Sequence, residues 1–545
     1  MVYIKNHFQS LQIQNYQSNK MKFATLLAGT AAAVLFLLDN VGAAPTNIEA
    51  RAANASSNKV VIGYFPNWLY TDYPPSKIDF SGYTHILYAF ALQVSGNTPI
   101  WADNGIFDVD VEYNFQTLVK LANAAGTKVV VSVGGWSGGT KFSPMVASPT
   151  ARAEFIKWNT DFIAKYNTAG VDLDWEYPTA AGPGCNDYSP NDITNYLTLI
   201  KELRTSLNTL FPNSYKEITM AVHVLPWGGE EDVDDVSVFV PYVDRFHVMA
   251  FDINGAWNSI SGPNAPFHAE SGQGYQYGFV EGINYWHSAG VPYNKLVGGV
   301  PFYGRAQTLT VTSNPTTQYN PAISPNAPLG DSDDGPYTNA YCSLDSSPAS
   351  GEWKYKNLRS QGVLTSPTLA ASPWIRHFDN ITQTPWLYNP TNKQYISYDD
   401  PVSIGVKTQW AIDNGLAGLF CWSVEQDNGE LLAAMKPILN GNISPPTSST
   451  TTGSTKTATT TIIKPTSTTS TKTSSVSTTK TTSTATITPV GNCAGVATFN
   501  AATAYNGGSK VTYNGGLYTA NWWTQGEIPS PDAPAWAAWK YVSAC

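Results

Sequence analysis

The residues with the most chemical potential lie in the run Gly170-Val171-Asp172-Leu173-Asp174-Trp175-Glu176-Tyr177-Pro178. On an extended strand alternate side chains share a face. Asp172, Asp174 and Glu176 therefore point one way, and Val171, Leu173 and Trp175 the other. At strand rise, Asp174 and Glu176 lie about 7 Å apart. Three stacked carboxyls cannot all ionise cheaply, so at least one pKa rises and that group becomes a proton donor. A solvated edge strand would show the same spacing, but the apolar alternate face and the glycine start argue for a buried strand.

Such acids need a scaffold that faces them inward. Eight apolar runs supply one: Lys59–Pro66, Thr84–Leu92, Lys128–Trp136, Gly170–Pro178, Ile218–Pro226, Arg245–Asn254, Leu296–Arg305 and Leu416–Val424. Amphipathic stretches such as Phe115–Ala125, Ala151–Tyr166 and Asp192–Leu207 separate them. Near-continuously apolar strands alternating with helices predict an α/β fold, a parallel (β/α)8 TIM barrel, with catalytic groups at the C-terminal ends of its strands. The stretch from Arg305 to Leu416 is too long for one crossover helix. It predicts an inserted α+β subdomain at about 306–400, closing with a strand at Tyr395–Tyr398 before a helix near Val402–Asn414.

Composition narrows the ligand. The 545 residues carry 31 basic and 40 acidic side chains, a net charge of −9, 13% charged residues and seventeen tryptophans. Nucleic-acid binding by counterion release needs a basic surface, so such a partner is excluded. Few charges with many flat rings suggest a neutral, flat-faced ligand. No His-x-x-x-His or Cys-x-x-Cys spacing suggests a metal, and no cofactor motif is present.

From Met21 the chain runs through Lys22, an apolar stretch Phe23–Leu38 and the small residues Val41 to Ala44. This order predicts a secretory signal peptide ending at Ala43, with translation starting at Met21. The apolar stretch, about 16 residues, falls short of the roughly 20 a spanning helix needs. The expectation is thus a secreted, extracellular or wall-associated monomer with no membrane segment after processing. Export permits disulfides. Cys493 and Cys545 bracket the last segment and are expected to pair; Cys421, in an apolar run, is expected to be a buried thiol; spacing leaves Cys185 and Cys342 open. Asn54, Asn380 and Asn442 each begin an Asn-X-Ser/Thr acceptor. Residues 443–490 are about two-thirds Ser or Thr, with lysine the only charged type, and read as an O-glycosylated linker that cannot fold alone.

At the level of motifs the sequence resembles the family 18 glycoside hydrolases, the chitinases. Their fourth-strand signature Asp-Gly-x-Asp-x-Asp-x-Glu is matched from Gly170 through Asp172, Asp174 and Glu176, with Ala169 in place of the first Asp. Ser132-Val133-Gly134-Gly135-Trp136 is similar to the third strand, Met249-Ala250-Phe251-Asp252 to the sixth, Val300-Pro301-Phe302-Tyr303-Gly304-Arg305 to the seventh and Phe420-Cys421-Trp422-Ser423 to the eighth. The resemblance covers 59–440 in the expected order. It implies hydrolysis of chitin or chito-oligosaccharides by a retaining, substrate-assisted route. Glu176 would be the general acid/base, Asp174 would hold the acetamido N–H, Asp172 would share a proton with it, and Asp252 would position the acetamido group or Glu176. It also implies a floor at Trp422, subsites lined by Trp136, Trp257, Tyr177 and Tyr64, a sugar contact from Arg305, and roles for Tyr303 and Met249. Phe251 stands where the family's tyrosine hydroxyl bonds the acetamido carbonyl, so that bond is lost unless Tyr303 or a water replaces it. His223 and His247 are expected to be satisfied core residues.

Residues 493–545 resemble the small all-β chitin-binding modules of carbohydrate-binding families 5 and 12, through Tyr505, Gly516-Leu517-Tyr518, Trp522-Trp523 and Trp539. So short a segment cannot bury all its large rings, and Trp522, Trp523 and Tyr505 are the candidates for stacking on a sugar. Two other activities fit the same residues: a lectin-like or wall protein with weakened catalysis, which Phe251 favours and Glu176 opposes, and cleavage of N-glycan chitobiose cores, which the chitin-binding module disfavours.

Overall fold

The computed structural model describes residues 59–69, 72–95, 98–101, 111–228, 235–440, 493, 495–501, 503, 505, 509–520, 528–531 and 539–545. The chain divides into two compact units, the first running to Ser448 and the second from Ser449.

In the first unit the eight apolar runs form β1 (Val60–Pro66), β2 (His85–Ala91), β3 (Lys128–Gly134), β4 (Gly170–Asp174), β5 (Glu217–Val222), β6 (Arg245–Val248), β7 (Leu296–Pro301) and β8 (Gly418–Trp422). They close in sequence order into one barrel, β8 pairing with β1. All pairs between neighbouring barrel strands are parallel. Alternation sorts the side chains into two cores. Val60, Ile62, Tyr64, Leu87, Ala89, Val130, Val297 and Phe420 form one cluster inside the barrel. Val61, Phe65, Ile86, Val129, Val131, Val171 and Leu173 pack outward into a second, larger cluster.

Five longer helices cover the outer face, and two of them begin at side-chain caps. The helix α1 spans Val111–Ala125. Helix α2, Pro149–Tyr166, has Ser148 accepting from the Ala151 N–H and Pro149 in its first turn, and it ends at Asn167 with φ 52°. Helix α3, Asp192–Leu210, buries Tyr196, Leu199, Ile200, Leu203 and Leu207, one stripe of a 3.6-residue period. Helix α4 is Phe279–Ser288. Helix α5, Pro401–Asp413, starts with a reciprocal capping box between Asp400 and Ser403. No helix of the described residues is long and apolar enough to cross a membrane.

The strands are shorter than the expected apolar runs, most clearly β4, β6 and β7; β6 ends at Val248 rather than Asn254. β4 stops at Asp174 rather than Pro178; Trp175, just beyond it, packs in the outer core and stacks on Phe142, ring centroids 5.3 Å apart. The run to Arg305 splits at Pro301, which closes β7, since proline has no N–H to donate to a ladder. Tyr303–Thr308 then leaves the barrel for a five-stranded sheet with Glu352–Lys354, Gln394–Ser397, Thr384–Asn389 and Ile375–Asp379. A two-stranded hairpin, Tyr337–Asn339 with Cys342–Ser347, belongs to the same insertion. The barrel with an inserted subdomain is therefore the fold. Cys342 is disulfide-bonded to Cys185, 157 residues away, and Cys421 is a buried free thiol.

The second unit is a small all-β module. Lys510–Tyr513, Gly516–Ala520 and Trp539–Ala544 form a three-stranded antiparallel sheet, and Cys493 is bonded to Cys545. Its core is Val511, Tyr518, Ala520 and Trp539 with Phe499, Tyr505 and Tyr513 against them.

Candidate active site

Register builds the site before any side chain is considered. Asp172 pairs with Ser132 on β3 and with Thr219 on β5, so the three side chains share one interior layer. β3 comes this close at its end because Gly134 has φ 110° and no Cβ; a Cβ there would sit 2.2 Å from the Asp174 carbonyl oxygen. The result is a fully enclosed Asp172. Its Oδ2 accepts from Ser132 Oγ at 2.7 Å and Tyr64 Oη at 3.0 Å, and its Oδ1 from Thr219 Oγ1 at 2.5 Å. Burial raises the Asp172 pKa, and those three bonds pull it back. Tyr64 Oη also lies 3.1 Å from His247 Nδ1.

Asp174, one layer higher, has no such support. It is buried, and among the described residues its Oδ1 has no hydrogen-bond partner. Burial, then the charges of Glu176 and Asp172, push its pKa well above the ordinary carboxylate range. Glu176 sits beyond the strand end, half-buried, and Asn186 Nδ2 holds its backbone carbonyl at 2.8 Å. Burial pushes its carboxyl up to about 7, with Tyr177 hydrogen bonding against the rise and the Asp252 charge adding to it. Asp174 and Glu176 are thus two neighbouring acids, and the more exposed one is poised to carry a proton near neutrality.

Asp252 approaches from the segment after β6, with φ 57° and its N–H donating to Asn264 Oδ1 at 3.1 Å. Arg305 grips it in a two-point pair, Nε to Oδ1 at 2.7 Å and a terminal nitrogen to Oδ2 at 2.8 Å. The same guanidinium lies 5.7 Å from the Trp257 ring and 4.9 Å from the Tyr303 ring. Arg305 is therefore engaged chiefly by Asp252.

The aromatic candidates separate by exposure. Trp136 and Trp257 are 41% and 48% exposed. Trp422 is half-buried, stacked on Phe90 at 5.5 Å and 15° and flanked by Trp68 at 6.2 Å and by Tyr64 at 5.7 Å. Tyr177 is half-buried, edge-on to His223 at 4.9 Å. Tyr64 and Tyr303, by contrast, are each only 2% exposed. Neither offers a ring face to a sugar, which corrects the expectation that Tyr64 lines a subsite; it lies beneath the cleft and supports Asp172. Phe251 and Met249 pack half-buried against the interior cluster, with Phe251 edge-on to Tyr303 at 6.4 Å and to Phe420 at 5.8 Å. His247 also departs from expectation: it is fully buried, but among the described residues its Nε2 has no partner.

In the module, Tyr505 packs between Phe499 and Trp539, and its hydroxyl accepts from the Asn500 N–H at 2.8 Å. Trp539 supplies a core tryptophan among the described residues; Trp522 and Trp523 lie outside the described residues. Asn380 is exposed in a turn, whereas Asn54 and Asn442 lie outside the described residues, as do residues 1–58 and 441–492. Among the described residues no group of three or more His, Cys, Asp or Glu side chains could hold a metal ion.

Sequence reasoning passed over Ser132, Thr219, Trp68, Phe90, Asn186 and Asp345. Ser132 and Thr219 carry a readable signal, because both occupy interior-facing positions on the strands that flank β4. Nothing in the sequence marks Asp345, which accepts from Trp136 Nε1 across 209 residues.

Comparison with known proteins identifies the family of both units. Residues 60–427 match the model of Glycosyl hydrolases family 18, and residues 498–540 that of Carbohydrate-binding module family 5/12. A chitinase-like effector of Moniliophthora roreri is 32% identical over 399 residues, covering 70% of this chain and 92% of that protein. An endochitinase of Manduca sexta is 31% identical over 422 residues, covering 74% and 72%. Among solved structures, a chitinase from Rhizomucor miehei superposes with a TM-score of 0.63 at 29% identity, covering 70% of this chain and all 100% of that one. The Ostrinia furnacalis Group IV chitinase in complex with allosamidin gives 0.59 at 29% identity, covering 71% and 100%. The chain belongs to glycosyl hydrolase family 18, a glycoside hydrolase of the chitinase kind that carries a family 5/12 carbohydrate-binding module.

Proposed function

We propose that the chain is a secreted chitinase that cleaves β-1,4 N-acetylglucosamine linkages with retention of configuration, using Glu176 as general acid and base. The observation that carries the proposal is the pair at the barrel mouth: a Glu176 carboxyl raised to about 7 beside a buried Asp174 whose Oδ1 has no partner among the described residues. A retaining glycosidase ordinarily needs two carboxyls, one as nucleophile; this family replaces the second with the substrate's own acetamido group.

The residues suit that exception. Protonated Glu176 gives its proton to the glycosidic oxygen as the bond to the anomeric carbon breaks. The acetamido carbonyl oxygen attacks that carbon and forms a cyclic oxazolinium ion. Asp174 accepts the acetamido N–H, which orients the attack and offsets the positive charge. Asp172, held by three hydroxyls, supports Asp174 from below and shares its proton. Glu176, now ionised, takes a proton from water, which opens the ring with net retention. Burial keeps Glu176 protonated near neutrality, and the charge of Asp252, gripped by Arg305, adds to that effect. Trp422 lies under the reacting sugar, with Trp136 and Trp257 as exposed platforms beyond it.

Secretion is supported by the order of basic, apolar and small residues from Lys22 to Ala44. The Ser/Thr-rich linker and the C-terminal module would hold the barrel at the polymer and raise its local concentration there. Phe251 favours a second reading, a chitin-binding protein with weakened turnover, and one relative is itself named a chitinase-like effector. Proton NMR of the first product released from a chitin oligomer decides. A β-anomer that mutarotates slowly supports the proposal; an initial α-anomer overturns retention, and no product at all favours the binding reading.

A further inference from the structure

The hairpin Tyr337–Asn339/Cys342–Ser347 is not part of the barrel, yet three ties bring it to the barrel's mouth. Tyr341 Oη donates to the Gln93 carbonyl at 3.1 Å, beyond β2. Trp136 Nε1, directly after β3, donates to Asp345 Oδ2 at 3.0 Å. Cys342 is covalently bonded to Cys185 in the loop after β4, next to the Asn186 that holds the Glu176 carbonyl. The hairpin thus spans the ends of three consecutive barrel strands.

Asp345 is itself fixed. Its Oδ2 also accepts from Asn339 Nδ2 at 3.0 Å and from the Tyr337 hydroxyl. One carboxylate oxygen therefore gathers three donors, and the only one contributed by the barrel is an exposed tryptophan. An indole N–H at an exposed site has water available, so stability alone gives little reason to anchor it. Anchoring does fix the orientation of a ring that is 41% exposed. A ring already held in its bound orientation loses less entropy when a sugar stacks on it.

We infer that Asp345 is a positioning residue for the substrate cleft: it locks the Trp136 ring as a sugar platform, on a hairpin that the Cys185–Cys342 disulfide clamps to the catalytic loop. The inference rests on the reading of Trp136 as a sugar platform. Its ligand is a chain of N-acetylglucosamine units long enough to reach beyond the cleaved sugar. Short substrates that end before Trp136 do not feel the lock.

The test is steady-state kinetics of the full-length protein on chitohexaose and on a chromogenic disaccharide, for Asp345→Ala, Asp345→Asn and Trp136→Ala. Asp345→Ala is expected to raise KM for the hexamer roughly three- to tenfold, the cost of ordering one freed side chain, with the change falling on KM rather than kcat. Asp345→Asn keeps an acceptor oxygen at the same reach and restores most of the loss. If Trp136→Ala raises the hexamer KM but Asp345→Ala does not, Asp345 is not the lock and the inference falls. If Trp136→Ala leaves the hexamer KM unchanged, the platform reading falls and takes the inference with it. If Asp345→Ala lowers kcat on both substrates alike, the residue is merely structural and the inference also falls. Cys342→Ser provides a second variant that frees the hairpin without touching Asp345, and it should show the same length-dependent rise in KM.

Discussion

Replacing Asp252 by Asn should shift the basic limb of the pH–rate profile to lower pH. The Glu176 carboxyl rises from the ordinary 4.5 to about 7, through burial first, offset in part by the Tyr177 hydrogen bond and added to by the Asp252 charge. At 1.36 kcal/mol per pH unit, that rise is worth about 3 kcal/mol. Burial is the largest contribution and the opposing Tyr177 hydrogen bond the next, so Asp252 supplies the smallest of the three, at most about one pH unit or roughly 1.4 kcal/mol. The sign follows from what is removed. Without a neighbouring negative charge Glu176 ionises more easily, its pKa falls, and the acid form needed for bond breaking is lost at lower pH. The freed Arg305 guanidinium acts in the same direction. The assay is kcat/KM on a soluble chitin oligomer from pH 4 to 9, whose basic limb reports the acid of the free enzyme. Any general loss of positioning lowers the whole curve, whereas the electrostatic effect moves the limb. A limb that stays in place, or moves to higher pH, refutes the assigned role of Asp252.

Two further substitutions probe the floor and the roof of the site. Tyr64→Phe removes the hydroxyl 3.0 Å from Asp172 and 3.1 Å from His247. It should cost about 1–3 kcal/mol of stability by urea unfolding and raise the Asp172 pKa further, since that bond now lowers it. Phe251→Tyr puts a hydroxyl back where the family has one. It should leave turnover equal or raise it, up to the roughly hundredfold a transition-state hydrogen bond can supply; a large loss would contradict the assigned roles.

Much of the barrel is written locally, which is why it could be read. Each strand is an apolar run bounded by turns or caps, and the acids of β4 alternate with Val171 and Leu173 regardless of distant contacts. Tyr64 was also within reach: Val60, Ile62 and Tyr64 share parity on β1, and that parity points into the barrel. The motif suggested a sugar contact there, while alternation alone pointed to the core. Other features depend on long-range closure, which spacing does not encode. The Asp252–Arg305 clamp joins residues 53 apart, and the Trp136–Asp345 bond joins residues 209 apart. The strand end at Asp174 was hidden for a different reason: the alternation of apolar and acidic residues runs on to Pro178, so the pattern does not mark where pairing stops.

The central claim is that Glu176 is the proton donor. Glu176→Gln keeps the shape and hydrogen-bonding capacity of the side chain but cannot release a proton. Hydrolysis of chitohexaose should fall below detection while calorimetry still records its binding with an affinity near that of the unaltered protein. Hydrolysis persisting within tenfold of the unaltered rate would contradict the account.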